Sequence, residues 1–235
     1  MTAVLSGGRQ AWVDEYLRRS VDELLGHDQR VRDLDVQADV DGGVVHLTGA
    51  VDHAVQLDLV RRLASRFAGV HAVWDRVRVG GREPVALDLG CGDQRQYQQN
   101  IGVDRRLTDS VAVRADTRNG LPFATASVDR VYMVHLLEHL PDFLPLVQEC
   151  HRLLRPGGIL HVMSPWWRHV NAVADPTHVR YLDLQTIKGI CAYAPPERPW
   201  EVLHAGCDGA SVFADLTPAA PGSAADPTHL ARFFD

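Results

Sequence analysis

Five short apolar runs in the second half of this chain constrain its fold more than any other feature. They are Val85-Ala86-Leu87-Asp88-Leu89, Ile101-Gly102-Val103-Asp104, Val111 to Ala115 with Asp116 behind it, Ala126 to Met133, and Ile159-Leu160-His161-Val162. Runs of this length, bounded by turn residues and separated by helix-compatible stretches, predict buried parallel strands in a wound α/β sheet. In open sheets of that kind, ligands bind outside the carboxyl ends of the strands. The residues that end each run are therefore the first place to look for chemistry.

The first run passes directly into Gly90-Cys91-Gly92. Glycine lets the chain turn sharply there and approach a ligand closely. A lone GxG is often only a turn, but the second run ends in Asp104, whose carboxylate suits two ribose hydroxyls. A dinucleotide fingerprint fits worse. It needs a third glycine where the chain has Asp93-Gln94-Arg95, and an acid roughly twenty residues on, whereas Asp104 follows Gly92 by about twelve. Only Asp93 to Asn100 separate the loop from the second run, room for about two turns of helix. Leu153-Leu154-Arg155-Pro156-Gly157-Gly158 reads as a helix end and turn before the fifth strand.

This order of signals resembles the class I S-adenosylmethionine (SAM) methyltransferases over residues 84–216. It resembles in particular a subgroup with a short first connection and an Asp-Pro-Thr-His segment. The resemblance implies a doubly wound, Rossmann-like sheet and SAM as cofactor. It assigns the cofactor site to Asp88, Gly90, Cys91, Gly92, Asp104, Asp116 and Thr117, with Asp104 on the ribose and Asp116 on the adenine amine.

Upstream, the pattern differs. A helical periodicity from Gln10 to Gly26 places Trp12, Val13, Tyr16, Leu17, Val21, Leu24 and Leu25 at three- and four-residue spacings. Val36, Ala38 and Val40 alternate, Asp41-Gly42-Gly43 turns, and Val45, Leu47, Gly49 and Val51 follow, which predicts a hairpin. A helix with Val55, Leu57, Val60, Leu63 and Phe67 on one side comes next, then a third strand over Val73 to Val79. This α+β segment, residues 1–80, resembles the BON domain on Asp41 to Val51 and Phe67 to Val73. That likeness implies lipid, ligand or protein contacts, so an accessory role, with a protein partner or self-association, is expected of it. Gly80-Gly81-Arg82-Glu83-Pro84 reads as a linker and residues 217–235 as a tail, with a Pro/Ala/Gly/Ser stretch over 218–223.

Composition excludes several classes. Hydrophobic residues make up 46% and the formal charge is −6, which argues for folded domains and against a nucleic-acid partner held by bulk charge. Four scattered cysteines without a CxxC pair argue against a disulfide framework or zinc ribbon. With no apolar signal core in Met1 to Gln10 and no membrane-span-length run, a cytoplasmic protein is expected.

Three candidate clusters remain. His135-Leu136-Leu137-Glu138-His139 matches HxxEH, but zinc needs a third protein ligand, so no metal is expected. His135 and Glu138, one helical turn apart, suit general-base work, with His178 as the other candidate base. The opposing reading makes Glu138 a surface partner of an arginine and His139 a packing residue. After the fifth strand, Trp166-Trp167-Arg168-His169 and Asp175-Pro176-Thr177-His178-Val179-Arg180 offer Trp166, Trp167, His169, Asp175 and Arg180 as substrate contacts. Asp175 and Pro176 also read as a helix cap and first helical residue, and Ala225-Asp226-Pro227-Thr228-His229 nearly repeats the segment. The expected function is SAM-dependent methylation of a small molecule, in natural-product biosynthesis. The alternatives are an aziridine-forming cyclase on the same fold that does not use SAM, in which Asp116 and Glu138 hold the amine, and a non-catalytic scaffold.

Overall fold

The chain divides at the Gly-Gly-Arg-Glu-Pro segment into two units, Met1–Pro84 and Val85–Asp235. The computed structural model describes residues 2–223; the near-repeat at 225–230 lies outside the described residues. No described helix is long and apolar enough to cross a membrane.

In the first unit, helix α1 (Thr2–His27) turns Leu17, Val21 and Leu25 into the core, while Trp12 and Tyr16 stay exposed. Strands β1 (Asp35–Asp41) and β2 (Val44–Val51) form the expected antiparallel hairpin. Gly42 and Gly43 take positive φ (58° and 75°) in its turn, and the Asp14 carboxylate of α1 accepts both of their N–H groups at 3.1 and 2.9 Å. Helix α2 (Ala54–Ala64) buries Leu57, Val60 and Leu63. The single third strand expected over 73–79 is instead two pieces, β3 (Ala72–Asp75) and β4 (Arg78–Val79), both parallel to β2. Arg76 and Val77 break the ladder between them.

The second unit is a seven-stranded sheet. Its strands are β5 (Ala86–Leu89), β6 (Ile101–Asp104), β7 (Val113–Arg114), β8 (Val128–Val134), β9 (Leu154–Pro165), β10 (Trp200–Cys207) and β11 (Ser211–Pro218). The spatial order is β10-β11-β9-β8-β5-β6-β7, parallel except where β11 runs against both neighbours. This is the Rossmann-like sheet the sequence led us to expect. Strand order reverses at β5, where the chain steps outward to β6 and β7 before returning to β8, and that switch point favours a ligand crevice.

One face carries the apolar core: Leu87, Leu89, Val131, Met133, Leu160 and Val162 pack with helix α3 (Leu144–Leu153) and helix α5 (Leu184–Ala192). The short helix α4 (Val170–Ala174) lies between β9 and α5. No helix joins β5 to β6 or β6 to β7. The two turns of helix that Asp93 to Asn100 had room for are absent; the segment is a series of turns and bends pinned by side chains. The Asp88 carboxylate accepts the Gln96 N–H, Thr108 Oγ1 donates to Gly92 O at 2.6 Å, and Ser110 Oγ donates to Asp93 O at 2.7 Å. Side-chain bonds there do the work that a helical ladder would do elsewhere.

Candidate functional site

A cavity of about 570 Å³ opens at the carboxyl ends of β5 to β8. It is lined by residues that end these strands: Gly90 after β5, Asp104 at the end of β6, Asp116 and Thr117 after β7, His135 after β8. The volume falls in the range of small-molecule sites.

Gly90 turns with φ 69°, and a Cβ there would come within 2.7 Å of Leu136 Cδ1, so the backbone can close over the loop only without a side chain. Asp104 is buried, with its carboxylate accepting Gly92 N–H at 3.0 Å and Arg106 N–H at 2.8 Å. An ionised carboxylate has about four lone-pair sites. The Arg106 Nε stands 3.7 Å from Oδ1, beside the lone pairs that these two bonds leave. Asp116 caps the short 3-10 turn Thr117–Asn119, and the Arg118 guanidinium on its carboxylate holds its pKa down at about 2.

Not every expected cofactor residue reaches the cavity. Asp88, Cys91 and Gly92 are absent from its lining. Asp88 is buried and turned onto the loop backbone, and burial pushes its pKa up to about 6 against the opposing bonds from Gln96 and Asn100. Cys91 packs between β5 and the Ser110 carbonyl, and burial followed by the nearby Asp88 and Asp104 carboxylates raises its thiol pKa. The sequence reading also missed three residues. Arg105, Arg106 and Arg118 line the cavity and give it cationic groups that suit a carboxylate or phosphate ligand. Their only signal in the sequence is adjacency to the strand-end acids.

The rim after β8 departs from the α-helix read into HxxEH. His135 sits in left-handed backbone (φ 54°), a rare conformation for a residue with a Cβ. Only a 3-10 turn, Leu137–His139, follows it. His135 and His139 are therefore not stacked one helical turn apart. Instead His135 Nδ1 meets Glu138 Oε1 at 3.2 Å, and Ser164 Oγ donates to Glu138 Oε2 at 2.7 Å. Glu138 is 1% exposed and lies behind His135, outside the cavity lining, so it is no surface partner of an arginine. Burial raises its pKa, but the His135 and Ser164 bonds outweigh that and leave it lowered. His139, a packing residue in the opposing reading, lines the cavity.

Of the residues expected to touch substrate, Asp175 lines the cavity and the others do not. Trp166 packs against the core, and Trp167 is 44% exposed beneath the Arg168 guanidinium, 4.7 Å from its ring centre. His169 caps α4 through Nδ1, which accepts from Asn171 N. Arg180 donates to the Pro141 carbonyl from Nε at 2.7 Å. No helix begins at Asp175; it follows the end of α4, and its carboxylate binds Thr177 N–H at 2.8 Å in a local turn. His178 is not among the lining residues; its Nδ1 meets the Ala172 carbonyl at 3.1 Å.

Comparison with known proteins fits this geometry. The BON domain family matches residues 13–81 and the methyltransferase domain family residues 87–162. A probable S-adenosylmethionine-dependent methyltransferase of Mycolicibacterium smegmatis is 36% identical over 104 residues, covering 37% of this chain and 40% of that protein. Protein YafE of Escherichia coli K12 is 31% identical over 87 residues, covering 33% of this chain and 42% of its own length. The chain thus spans about two fifths of the length of these curated relatives. A solved SAM-dependent methyltransferase from Archaeoglobus fulgidus aligns at 16% identity with a TM-score of 0.42, over 58% of this chain and 86% of that one.

Proposed function

The chain carries a BON domain followed by a methyltransferase domain, and on that premise we propose that it transfers a methyl group from SAM to a small-molecule acceptor. The observation that carries this reading is Asp104. It is a buried carboxylate at a strand end, fixed by two backbone N–H groups on the cavity wall, with lone pairs left for a vicinal diol. The positive-φ turn at Gly90 beside it gives an adenosyl ligand close access to backbone, and the arginines at the mouth suit its carboxylate. Bound there, SAM supplies an electrophilic methyl on a sulfonium centre.

The protein's own contribution is alignment and proton removal. His135 lines the cavity with its Nδ1 against the Glu138 carboxylate. That contact favours the tautomer protonated on Nδ1 and leaves Nε2 with the lone pair to take a proton from an oxygen or nitrogen acceptor. A cavity of about 570 Å³ supports reading that acceptor as a small molecule. We take residues 84–216 as the catalytic domain and residues 1–80 as an accessory module.

Calorimetry with SAM and S-adenosylhomocysteine tests the reading. Asp104→Ala should weaken SAM by about 1.5–3 kcal/mol, the range for hydrogen bonds to a charged group. Absence of SAM binding by the wild-type protein at millimolar concentration would end the methyltransferase assignment.

A further inference from the structure

Glu138, His139 and His178 stand together although the two histidines come from separate segments. Each offers one ligand atom, and these atoms lie within 4.8 Å of one another. The imidazole rings are 4.7 Å apart at 70°. The sequence alone had no third ligand for a metal; the fold supplies it from the segment after α4.

The hydrogen bonds around the group settle which nitrogens carry protons. His178 Nδ1 faces the Ala172 carbonyl at 3.1 Å, an acceptor only, so the proton is on Nδ1. His139 Nδ1 faces the Thr177 carbonyl at 3.3 Å and Thr177 Oγ1 at 3.0 Å. The Thr177 hydroxyl donates to Asp175 Oδ1 at 2.7 Å, so it too presents a lone pair to His139. These contacts favour a proton on Nδ1 of each ring and a lone pair on Nε2, with the Asp175 carboxylate 3.8 Å from the His178 Nε2. Metal-bound histidines are held in this way, the far N–H donated to a backbone carbonyl. Beside them lies the Glu138 carboxylate, buried and oriented by Ser164 and His135. Two imidazoles and a carboxylate gathered at this range offer a cation three ligand atoms.

The frame is fixed before any ion arrives. Val179 and Arg180 donate their N–H groups to Glu138 O at 2.8 and 3.1 Å, and the Arg180 side chain holds the Pro141 carbonyl. These bonds clamp the 3-10 turn against the Asp-Pro-Thr-His segment. Donors around a tetrahedral ion with bonds of about 2.0–2.1 Å lie about 3.4 Å apart. Closing from within 4.8 Å thus asks for at most about 1.4 Å per pair, within reach of small χ rotations.

We propose that Glu138, His139 and His178 bind a divalent transition-metal ion, zinc or a metal of similar ligand preference, at the rim of the cavity. Two imidazoles favour such an ion over magnesium or calcium. Three protein ligands leave a coordination position open. His139 lines the cavity, so the ligand class admitted to that position is an oxygen or nitrogen donor entering from there. The proposal does not depend on methyl transfer.

The test uses the full-length chain stripped with a chelator and titrated with Zn²⁺ by calorimetry, and with Co²⁺ by visible absorbance. One equivalent should bind, with a Co²⁺ d–d band and a zinc-dependent rise in melting temperature. His139→Ala and His178→Ala should each weaken binding by about tenfold or more, while His27→Ala, on exposed α1, leaves it unchanged. Should either variant fail to fold, His178→Gln and His139→Gln, which lose the imidazole at less cost in packing, replace them. No stoichiometric binding at about a hundred micromolar zinc, or undiminished binding in both histidine variants, overturns the site. The first outcome would leave no metal at this cluster, and the second would place the ion elsewhere.

Discussion

Two loops leave the sheet on either side of its switch point, and each buries one carboxylate. At the end of β5, Asp88 bonds the Gln96 N–H of the following loop, yet burial wins and its pKa is pushed up to about 6. After β8, Glu138 is at least as buried, yet the His135 and Ser164 bonds win and its pKa falls. The difference lies in the donors. Asp88 faces chiefly backbone and amide dipoles and holds a helix-free loop in shape. Glu138 faces an imidazole that can take a positive charge and a hydroxyl that can point only one proton at it. Burial alone does not decide whether a carboxylate is a brace or a working anion; its partners do.

The sharpest break of that comparison is Glu138→Leu. It leaves the Ser164 hydroxyl buried without its acceptor and removes the anion beside His135, an expected cost of roughly 3–4 kcal/mol from one lost charge-assisted bond and one unsatisfied group. Urea unfolding measures it; a loss under 1 kcal/mol would mean that the carboxylate contributes no net stability. Asp88→Asn comes next, and the sign of its pH dependence matters. A folded-state pKa raised from 3.8 to about 6 makes the folded protein the better proton binder. That contribution is complete below about pH 4 and is lost as pH rises to 6 and above, on the order of 2–3 kcal/mol. Glu138 has the opposite slope, since its lowered pKa gives stability at neutral pH that is lost in acid, below the ordinary carboxylate range. Asp88→Asn keeps an oxygen for the Gln96 N–H and should flatten the fall in unfolding midpoint between pH 4 and 7. An unchanged slope in the variant would remove Asp88 as its source.

The same two loops show what a sequence can tell. Gly90, Asp104 and Asp116 were legible because each is placed by its own strand: once the strand is recognised, its last residue must stand at the carboxyl edge, and all three line the cavity. The hairpin at Asp41-Gly42-Gly43 was legible for the same local reason, two glycines in a turn that demands positive φ. Asp88 misled because it shares that strand grammar; only the tertiary position of Gln96 shows its carboxylate turned inward. The Trp166–Trp167 pair misled because an aromatic pair in a loop reads equally as pocket wall or plug, and packing alone separates the two. The approach of His178 to His139 depends on bonds from Val179 and Arg180 to Glu138 O across α3, β9 and α4. No local pattern encodes it. HxxEH drew attention to the right turn but to the wrong pair of histidines, because the positive φ at His135 ended helical spacing before it began.

The smallest expected effect belongs to a third carboxylate, Asp116, which takes the comparison to the surface. Glu138 is held low by His135 and a buried hydroxyl; Asp116 is held at about 2 by an exposed arginine, with Arg118 Nη2 at 2.6 Å and Nε at 2.9 and 3.2 Å. Exposed pairs contribute little to stability because solvent screens them, so Arg118→Ala should leave the unfolding midpoint almost where it is. Its consequence lies in ligand binding. With the guanidinium bonded to both oxygens of Asp116, an adenine amine bound at the proposed cofactor site would have to share that carboxylate with it or displace it. Removing Arg118 frees the acceptor but also deletes one of the cavity's cations. These effects oppose each other, so SAM affinity should move by less than about fivefold, under about 1 kcal/mol. Raised salt should distinguish them, since screening weakens the contribution of a mouth arginine but not that of a freed hydrogen-bond acceptor. A salt dependence of SAM binding that is weaker in Arg118→Ala than in wild type would show the arginine acting on the ligand's charge. An equal dependence, with tighter binding in the variant, would show it acting as a plug on Asp116.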